Sequence, residues 1–375
     1  MNELAAQSTA PDEWPAVRSI AAARLQETGV AGAGGAGFPT YAKWERLDDV
    51  EYLLMNHQES EPNYRIDRWL AATHPQVFAD LFEVVLSQVL DVVVIAAKQK
   101  DRSHLRPLEN ATDGRVVLPE DLPIDASSES GVVFAYTDDT YQYGMESVLL
   151  NTVANTVLSE GVPMDHGWLV QNTETLFNIQ AAFREERPVT RKYVHVDGAN
   201  VTHRFLDVPI GTPASDVLAA AGLADGIPEE CVLAHGGPGW CFECEEPAAE
   251  LPIRKHTNCL LVLDAATAAA NSLGNGRIDV LDTREWDRPG VESEPTSRLN
   301  PDRVRIPYLT NADFTDLVAP SMPTVSVGDQ VDVGDRVATP ATDTISVAQH
   351  ASVTGTVSAV TDRYVEIQAT DATAR

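Results

Sequence analysis

A glycine-rich segment near the start of the chain constrains the fold most strongly. Residues 32–37 contain four glycines, and Phe38, Thr40 and Lys43 follow closely. Glycine adopts left-handed backbone angles without steric cost, so successive N–H groups can converge on one anion. Thr40 and Lys43 occupy the predicted start of a helix, where backbone dipoles and an ammonium group favour negative charge. The segment therefore predicts a phosphate-binding loop, with the ring of Phe38 beside it for a flat aromatic ligand.

Closely spaced glycines have two other common uses. A flexible surface turn has the same composition. A Rossmann nucleotide-binding loop must follow a strand, whereas residues 16–28 have apolar side chains at helical spacing. The context excludes the Rossmann motif, and the segments that follow decide between a turn and a ligand loop.

Four apolar runs predict buried strands of an α/β sheet, at 52–55, 92–97, 132–136 and 168–172. The predicted helices between and after them lie at 75–90, at 147–159 and from Thr173, the predicted N-cap. Polar residues follow three of the strands, where open α/β sheets bind ligands. They are Asn56, Glu59, Ser60 and Glu61, then Tyr141, Gly144 and Glu146, then Asn172 and Thr175. A plain acidic loop is the alternative for 56–68.

In this order the segments resemble the flavin subunit of respiratory complex I, the C subunit of the Rnf ion-translocating oxidoreductase and the cobalamin reductase of propanediol-utilisation microcompartments. The resemblance implies that residues 1–190 form an α/β domain that binds FMN and NADH, with no catalytic residue beyond the flavin. The FMN contacts that it implies are Gly32, Gly34, Gly35, Gly37, Thr40, Lys43, Asn56, Glu59, Ser60, Tyr141, Gly144, Asn172 and Thr175. Those that it places toward NADH are Phe38, Glu61 and Glu146. Gln58 and Met145 replace acids of the complex I subunit, which counts against a nicotinamide site of the same kind.

The pattern changes after residue 190. A strand pair, a short helix and two further strands fit a β-grasp module over residues 191–267; they lie at 193–198, 204–210, 213–221, 231–234 and 259–263. By the resemblance this is the soluble-ligand-binding domain of the relatives, either as a spacer or as a ligand site. Residues 268–304 lack periodicity and are predicted to be a linker.

Residues 305–375 predict a β-rich sandwich-hybrid barrel of the biotinyl/lipoyl type. Predicted strands lie at 325–329, 331–335 and 350–357, and the repeated Val-Gly-Asp units suggest two β-hairpins. No lysine follows Lys255, so attached lipoyl or biotin is excluded. By the resemblance, the Rnf subunit and the cobalamin reductase carry such a barrel, and its C-terminal place matches the reductase best.

The chain has four cysteines, too few for a disulfide framework. The relatives carry iron–sulfur clusters, which need about four thiolates each. Since no cysteine follows Cys259, no cluster is expected here. Cys231, His235, Cys241 and Cys244 have a spacing that zinc could use. Structural thiols are favoured over this metal site and over a redox pair of Cys241 and Cys244.

Composition limits the partners and the compartment. The net charge is −29, with 56 acidic against 27 basic residues, which argues against nucleic acid and anionic membranes as partners. No signal peptide is recognised, and no apolar run approaches the roughly 18 residues of a membrane span, so a cytoplasmic protein without membrane insertion is expected. The acids are spread along the chain, as in halophilic proteins. An acidic docking face is the less favoured alternative.

Together these observations predict an FMN-dependent electron-transfer flavoprotein, an NADH dehydrogenase-like oxidoreductase. It would oxidise NADH and pass electrons to a quinone, a corrinoid or a redox protein. An NAD(P)H-dependent cobalamin reductase is the alternative within the same class. A non-catalytic flavin-binding scaffold or sensor is the alternative from another class. A homo-oligomer and a subunit of a complex both remain open.

Overall fold

The computed structural model describes residues 16–311 and 316–370. Its N-terminal part is a parallel sheet with helices on both faces. The strands are β1 (Tyr52–His57), β2 (Val92–Lys98), β3 (Arg115–Val117), β4 (Gly131–Thr137) and β5 (Trp168–Asn172). The helices are α1 (Val17–Glu27), α2 (Tyr41–Trp44), α3 (Ile66–Thr73), α4 (Pro75–Gln88), α5 (Arg102–Thr112), α6 (Glu146–Ala154) and α7 (Thr173–Glu185). The strand order is β3-β4-β2-β1-β5, and all pairings are parallel, which confirms the predicted α/β sheet.

The continuous apolar runs follow from burial on both faces of this sheet. Successive side chains of a strand point to opposite faces. Leu53 and Val93 accordingly join the apolar cluster that contains residues of α1, α4 and α7. Leu54 and Val94 join a second cluster with residues of α6. A strand covered on both sides needs an apolar residue at nearly every position.

Two predicted helix boundaries are wrong. α6 ends at Ala154 rather than at 159, because Asn155 takes a left-handed conformation with φ 51°, which Asn tolerates and which ends a helix. The N-cap of α7 is Asn172 rather than Thr173, since the Asn172 side chain accepts hydrogen bonds from the N–H groups of Glu174 and Thr175. Within the described ranges, no helix combines the length and apolarity that crossing a bilayer requires.

A second sheet has eight strands in the order β11-β12-β9-β8-β10-β6-β7-β13. Its strands are β6 (Arg191–Gly198), β7 (Arg204–Pro209), β8 (Cys231–Gly237), β9 (Trp240–Glu243), β10 (Cys259–Asp264), β11 (Ser272–Gly274), β12 (Arg277–Ile278) and β13 (Ser297–Arg298). The helices beside it are α8 (Ala214–Ala220) and α9 (Ala265–Ala270). β6, β7, α8 and β8 follow one another in the predicted order strand, strand, helix, strand, and the β-grasp assignment stays a prediction.

The segment predicted to be a linker belongs to this sheet. It supplies β11, β12 and β13, and Trp286 within it is only 2% exposed. Arg288 forms an ion pair of 2.5 Å with the buried Asp197 of β6. Such short edge strands pair through backbone amides and need no alternation of apolar residues, so the sequence pattern did not show them.

The C-terminal part consists of two small sheets around an apolar cluster. Their strands are β14 (Arg303–Pro307), β15 (Met322–Pro323), β16 (Gln330–Val331), β17 (Arg336–Thr339), β18 (Gln349–His350), β19 (Gly355–Val360) and β20 (Tyr364–Ala369). The orders are β14-β20-β19-β16 and β15-β17-β18. The predicted strand at 350–357 is divided between β18 and β19.

The Val-Gly-Asp units form turns, and the strands predicted at 325–329 and 331–335 are wrong. Gly328 and Gly334 have φ angles of 98° and 96°, which favour glycine and turn the chain. The carboxylate of Asp329 accepts a hydrogen bond from the N–H of Ser326 at 2.8 Å. In the same way, the carboxylate of Asp335 accepts a hydrogen bond from the N–H of Asp332, three residues earlier. The internal repeat is therefore a pair of turns that precede β16 and β17.

Lys255 lies where the three parts of the chain meet. Its side chain is 4% exposed, and its ammonium group donates to the carbonyl oxygens of Gly29 at 2.7 Å and Ala348 at 3.3 Å. Burial lowers the pKa of Lys255 to about 7. One buried amine thus bonds to both the α/β part and the C-terminal sheets.

Candidate flavin site

A cavity of about 890 Å³ lies between the carboxyl ends of β1, β4 and β5 and the edge of the second sheet. Its size is that of a ligand pocket. The predicted site residues that line it are Gly34, Gly35, Asn56, Glu59, Ser60, Glu61, Tyr141, Gly144 and Asn172. Three predicted strand ends therefore meet at one cavity, as expected for an open α/β sheet.

The glycine loop offers free backbone donors to this cavity. The loop is closed by hydrogen bonds from Gly37 N–H to Gly32 O and from Gly32 N–H to Phe38 O, each 2.9 Å. Between them, the N–H groups of residues 34–36 have no hydrogen-bond partner within the described part of the chain. Three successive unpaired donors on a cavity wall suit an anion such as a phosphate.

The Asn172 side chain packs against the glycine loop and helps to hold it in place. A Cβ on Gly34 would lie 2.9 Å from the Cβ of Asn172, so only glycine fits this approach. The Thr175 hydroxyl accepts a hydrogen bond from Ala33 N–H at 2.9 Å. Asn172 also donates to the carboxyl group of Asp67 at 2.9 Å. The start of α7 thereby fixes the loop against the end of β5.

Asn56, Gly144 and Ser60 form a second wall. The Asn56 amide donates to Gly144 O at 2.9 Å. A Cβ on Gly144 would overlap the Ser60 hydroxyl, which is buried and has no hydrogen-bond partner among the described residues. A buried hydroxyl without a partner beside a cavity suits a polar ligand group.

The pKa values of Glu59 and Asp67 shift in opposite directions. Glu59 accepts hydrogen bonds from Asp67 N–H at 2.9 Å and from Arg68 at 2.5 Å. Burial favours the neutral form of Glu59, but the charge and hydrogen bond of Arg68 outweigh it and lower the pKa. Burial, and then the charges of Glu59 and Glu174, raise the pKa of Asp67 well above its usual range. The cavity therefore contains a carboxylate paired with Arg68 beside a carboxyl group whose burial favours its neutral form.

Glu61 connects the two sheets across the cavity. Its carboxyl oxygens accept hydrogen bonds from the Tyr141 hydroxyl at 2.5 Å and from Gly239 N–H at 2.9 Å. A Cβ on Gly237 would overlap the Glu61 side chain. Burial raises the pKa of Glu61. The predicted NADH-side residue is thus part of the contact between the α/β part and the second sheet.

Seven predicted site residues lie outside the cavity wall: Gly32, Gly37, Phe38, Thr40, Lys43, Glu146 and Thr175. The Lys43 ammonium lies 3.5 Å from the Glu146 carboxylate and donates to Val170 O at 3.3 Å. The Thr40 hydroxyl is buried and has no partner among the described residues. Lys43 and Glu146 therefore contact each other in this structure.

Several cavity residues were not predicted. Asp67 stands in the segment whose order suggested a flavin site, and that order was its one signal. Glu174 lines the cavity and forms a buried ion pair with Lys192. Trp240 and Arg277 come from the second sheet. Nothing in the sequence marked Arg277, since it lies in the segment predicted to be a linker.

The four cysteines are free thiols on different faces of the second sheet. Cys241 and Cys259 pack in one apolar cluster, and Cys231 and Cys244 pack against another. Burial raises the pKa of both Cys241 and Cys244 to about 12, so neither is a reactive thiolate at neutral pH. Among the described residues, no group of three or more His, Cys, Asp or Glu side chains could hold a metal ion. The placement of the four cysteines in apolar clusters favours structural thiols over a zinc site.

Comparison with known families identifies the type of domain whose strand ends line the cavity. Residues 25–181 match the Nuo51 FMN-binding domain. This part of the chain is an FMN-binding domain of the complex I flavin-subunit type. Residues 304–374 match the RnfC barrel sandwich hybrid domain. The matches confirm the resemblance inferred from the glycine loop and the segments after it, and they confirm the predicted barrel.

Similar proteins are longer than this chain. The cobalamin reductase PduS of Citrobacter freundii is 29% identical over 249 residues, which cover 65% of this chain and 50% of PduS. The C subunit of the ion-translocating oxidoreductase complex of Erwinia tasmaniensis is 30% identical over 272 residues, which cover 70% of this chain and 31% of that protein. The chain therefore spans about half and about a third of these two relatives.

A solved structure has the same fold. It is an NAD⁺-reducing [NiFe]-hydrogenase in the air-oxidised state, with a TM-score of 0.52 and 22% sequence identity. The likeness covers 68% of this chain and 48% of the hydrogenase chain. At this identity the likeness concerns the fold alone.

Proposed function

We propose that the protein is an FMN-dependent oxidoreductase that takes electrons from NADH and passes them directly to a small acceptor or a partner protein. The unpaired N–H groups of residues 34–36, facing a cavity in an FMN-binding domain, carry this proposal. When bound, FMN supplies the exchange between two-electron and one-electron chemistry. The protein supplies binding, orientation and charge.

The residues of the cavity suit these tasks. The backbone of 34–36 would hold the FMN phosphate, and Asn56, Ser60 and Asn172 would hold polar groups of FMN. Burial favours the neutral form of the Asp67 carboxyl group and raises its pKa. Arg68 keeps Glu59 charged beside it. Glu59 thus offers a charged acceptor to bound ligands.

The direct exit of electrons is supported by the placement of the thiols. All four are separated between two apolar clusters, whereas a cluster relay needs about four thiolates at one point. We therefore propose that the acceptor comes to the cavity. The free thiols also suit a reducing compartment such as the cytoplasm.

A corrinoid is a second candidate acceptor. The likeness to the cobalamin reductase PduS, together with the C-terminal barrel, favours it. A quinone or a redox protein fits the same cavity edge. A non-catalytic flavin-binding scaffold would bind FMN and leave it oxidised.

Anaerobic reduction separates these functions. The full chain is loaded with FMN and mixed with NADH or NADPH, and bleaching of the flavin absorbance is followed. We expect NADH to bleach it, and quinone or cob(III)alamin to restore the colour at different rates. Absence of FMN uptake would refute the proposed cofactor site. FMN uptake without bleaching by either nucleotide would favour the scaffold.

A further inference from the structure

Arg277 is placed as a ligand-binding cation by three observations. It stands in β12, and its guanidinium carbon lies 3.5 Å from the ring centroid of Trp240. Both side chains line the cavity. Among the described residues that line it, Arg277 is the sole lysine or arginine.

The guanidinium has no partner to neutralise it. Its Nε is buried and lacks a hydrogen-bond partner among the described residues, and within 16–311 and 316–370 no carboxylate is within ion-pair distance of it. Arg277 is half-buried, and a partly buried charge without a carboxylate partner is costly, although this chain carries 56 acidic residues that could have paired with it. An unpaired arginine in such a chain points to an anion supplied from outside.

Two carboxylates of the cavity already have cationic partners. Glu59 and Glu174 are paired with Arg68 and Lys192. Burial raises the pKa of Glu61. Asp279 also lines the cavity, so an anion that enters would meet one carboxylate as well as the guanidinium. A phosphate-bearing ligand in this cavity would therefore need at least one fixed cation.

Trp240 prepares the guanidinium for this role. Stacking on an aromatic ring fixes the plane of the guanidinium and leaves the N–H donors at its edge free. Trp240 itself is 46% exposed, so the stacked pair lies at the mouth of the cavity. A planar fork of donors matches the geometry of a phosphate oxygen pair.

We propose that Arg277, held on Trp240, binds the diphosphate of the dinucleotide substrate. This inference rests on the proposed function, in which the N–H groups of 34–36 already serve the FMN phosphate. Residue 277 lies between the two matched domains, since the first ends at residue 181 and the second begins at residue 304. The second sheet would then contribute directly to substrate binding.

The test uses ADP, which carries the diphosphate without the nicotinamide. ADP binding to the FMN-loaded full chain is measured by calorimetry for wild type, Arg277→Gln and Arg277→Lys. The matched control is Arg284→Gln, since Arg284 also stacks on a tryptophan, 4.8 Å from the ring of Trp286, but does not line the cavity. FMN affinity is measured for every variant by fluorescence.

We expect Arg277→Gln to weaken ADP binding by about tenfold or more and to raise the KM for NADH similarly. Arg277→Lys should recover part of the loss, because it keeps the charge but not the fork. FMN affinity and the Arg284→Gln control should match wild type. These results together would support the proposal.

Three results would overturn it. If the wild-type protein binds no ADP, it has no such diphosphate subsite. Unchanged ADP binding with weakened FMN binding would assign Arg277 to the FMN phosphate. Equal ADP and FMN affinities in all variants would leave Arg277 with no ligand. If NADH fails to bleach the flavin, the proposed function fails, but the ADP titration still decides whether this phosphate subsite exists.

Discussion

Replacing Lys255 with methionine tests the electrostatics at the junction of the three parts of the chain. The pKa of the buried ammonium falls from 10.5 to about 7. At 1.36 kcal/mol per pKa unit, this difference corresponds to about 5 kcal/mol by which the charged amine disfavours the folded state. Methionine removes that charge while keeping most of the side-chain volume.

The sign of the pH dependence follows from proton uptake. Below pH 7 the amine is charged in both the folded and the unfolded chain, and the full penalty applies. Between about pH 7 and pH 10.5 the unfolded chain binds the proton and the folded chain does not, so stability rises with pH. The methionine variant lacks this rise.

Lys255→Met also leaves the carbonyl oxygens of Gly29 and Ala348 without their donor. Each loss costs about 1–3 kcal/mol, which offsets much of the gain below pH 7. The decisive quantity is therefore the difference between the two proteins as a function of pH. We expect wild type to gain about 4 kcal/mol of the total of about 5 kcal/mol relative to the variant between about pH 6 and about pH 10.

Urea unfolding followed by circular dichroism at several pH values measures this difference. The control is Lys100→Met, because Lys100 has a side chain that is 46% exposed and pairs with Asp139 at the surface. The control should run parallel to wild type over the range between about pH 7 and about pH 9. If Lys255→Met also runs parallel to wild type, the buried amine is not the source of the pH dependence, and the reasoning is refuted.

Other predictions concern the cavity. Gly34→Ala should weaken FMN binding by about 1.5–3 kcal/mol, because the added Cβ meets Asn172 at 2.9 Å; an unchanged affinity in a fluorescence titration would place the phosphate elsewhere. Asn172→Ala should lower the free energy of unfolding of FMN-free protein by about 1 kcal/mol through loss of the α7 N-cap, and an unchanged urea midpoint would contradict this. Glu61→Gln should raise the KM for NADH while leaving the FMN spectrum intact, since Gly239 N–H loses its acceptor if the amide nitrogen faces it; apo-protein from this variant would count against the assignment. Purified protein should contain flavin but no stoichiometric iron, and several iron atoms per chain in metal analysis would overturn direct transfer.

The α/β sheet could be predicted because its physical requirement is local. A parallel strand that is covered on both faces needs a continuous apolar run, and 92–97 shows one. The C-terminal turns were mistaken for strands because Val alternates with Gly and Asp there, and a short alternation does not distinguish a strand from two turns. The edge strands β11 to β13 depend on backbone pairing, which leaves no pattern in the side chains.

The cavity could be predicted only in part, because some of its contacts leave no local pattern in the sequence. Asn56 and Asn172 lie at the carboxyl ends of β1 and β5, and Gly144 lies in the connection between β4 and α6, so the strand order brings them together. Lys43 was predicted at the phosphate from its place after the glycines, but side-chain direction depends on its neighbour Glu146. Arg277 reaches the cavity from a different sheet, and no local pattern encodes that contact. The roles of these residues stay predictions until they are tested.

The cavity wall divides between two independent pieces of chain, and this division has a consequence for how selectivity can change. The residues proposed for FMN come from the α/β part, whereas Trp240 and Arg277 come from an edge of the second sheet. Edge strands accept substitutions and exchanges more readily than the covered strands β1 and β2 do. A chimera that keeps residues 16–190 and exchanges the β9–β12 edge should therefore retain its flavin while changing the donor that it accepts. The second sheet would act as an interchangeable selector placed over a constant redox centre.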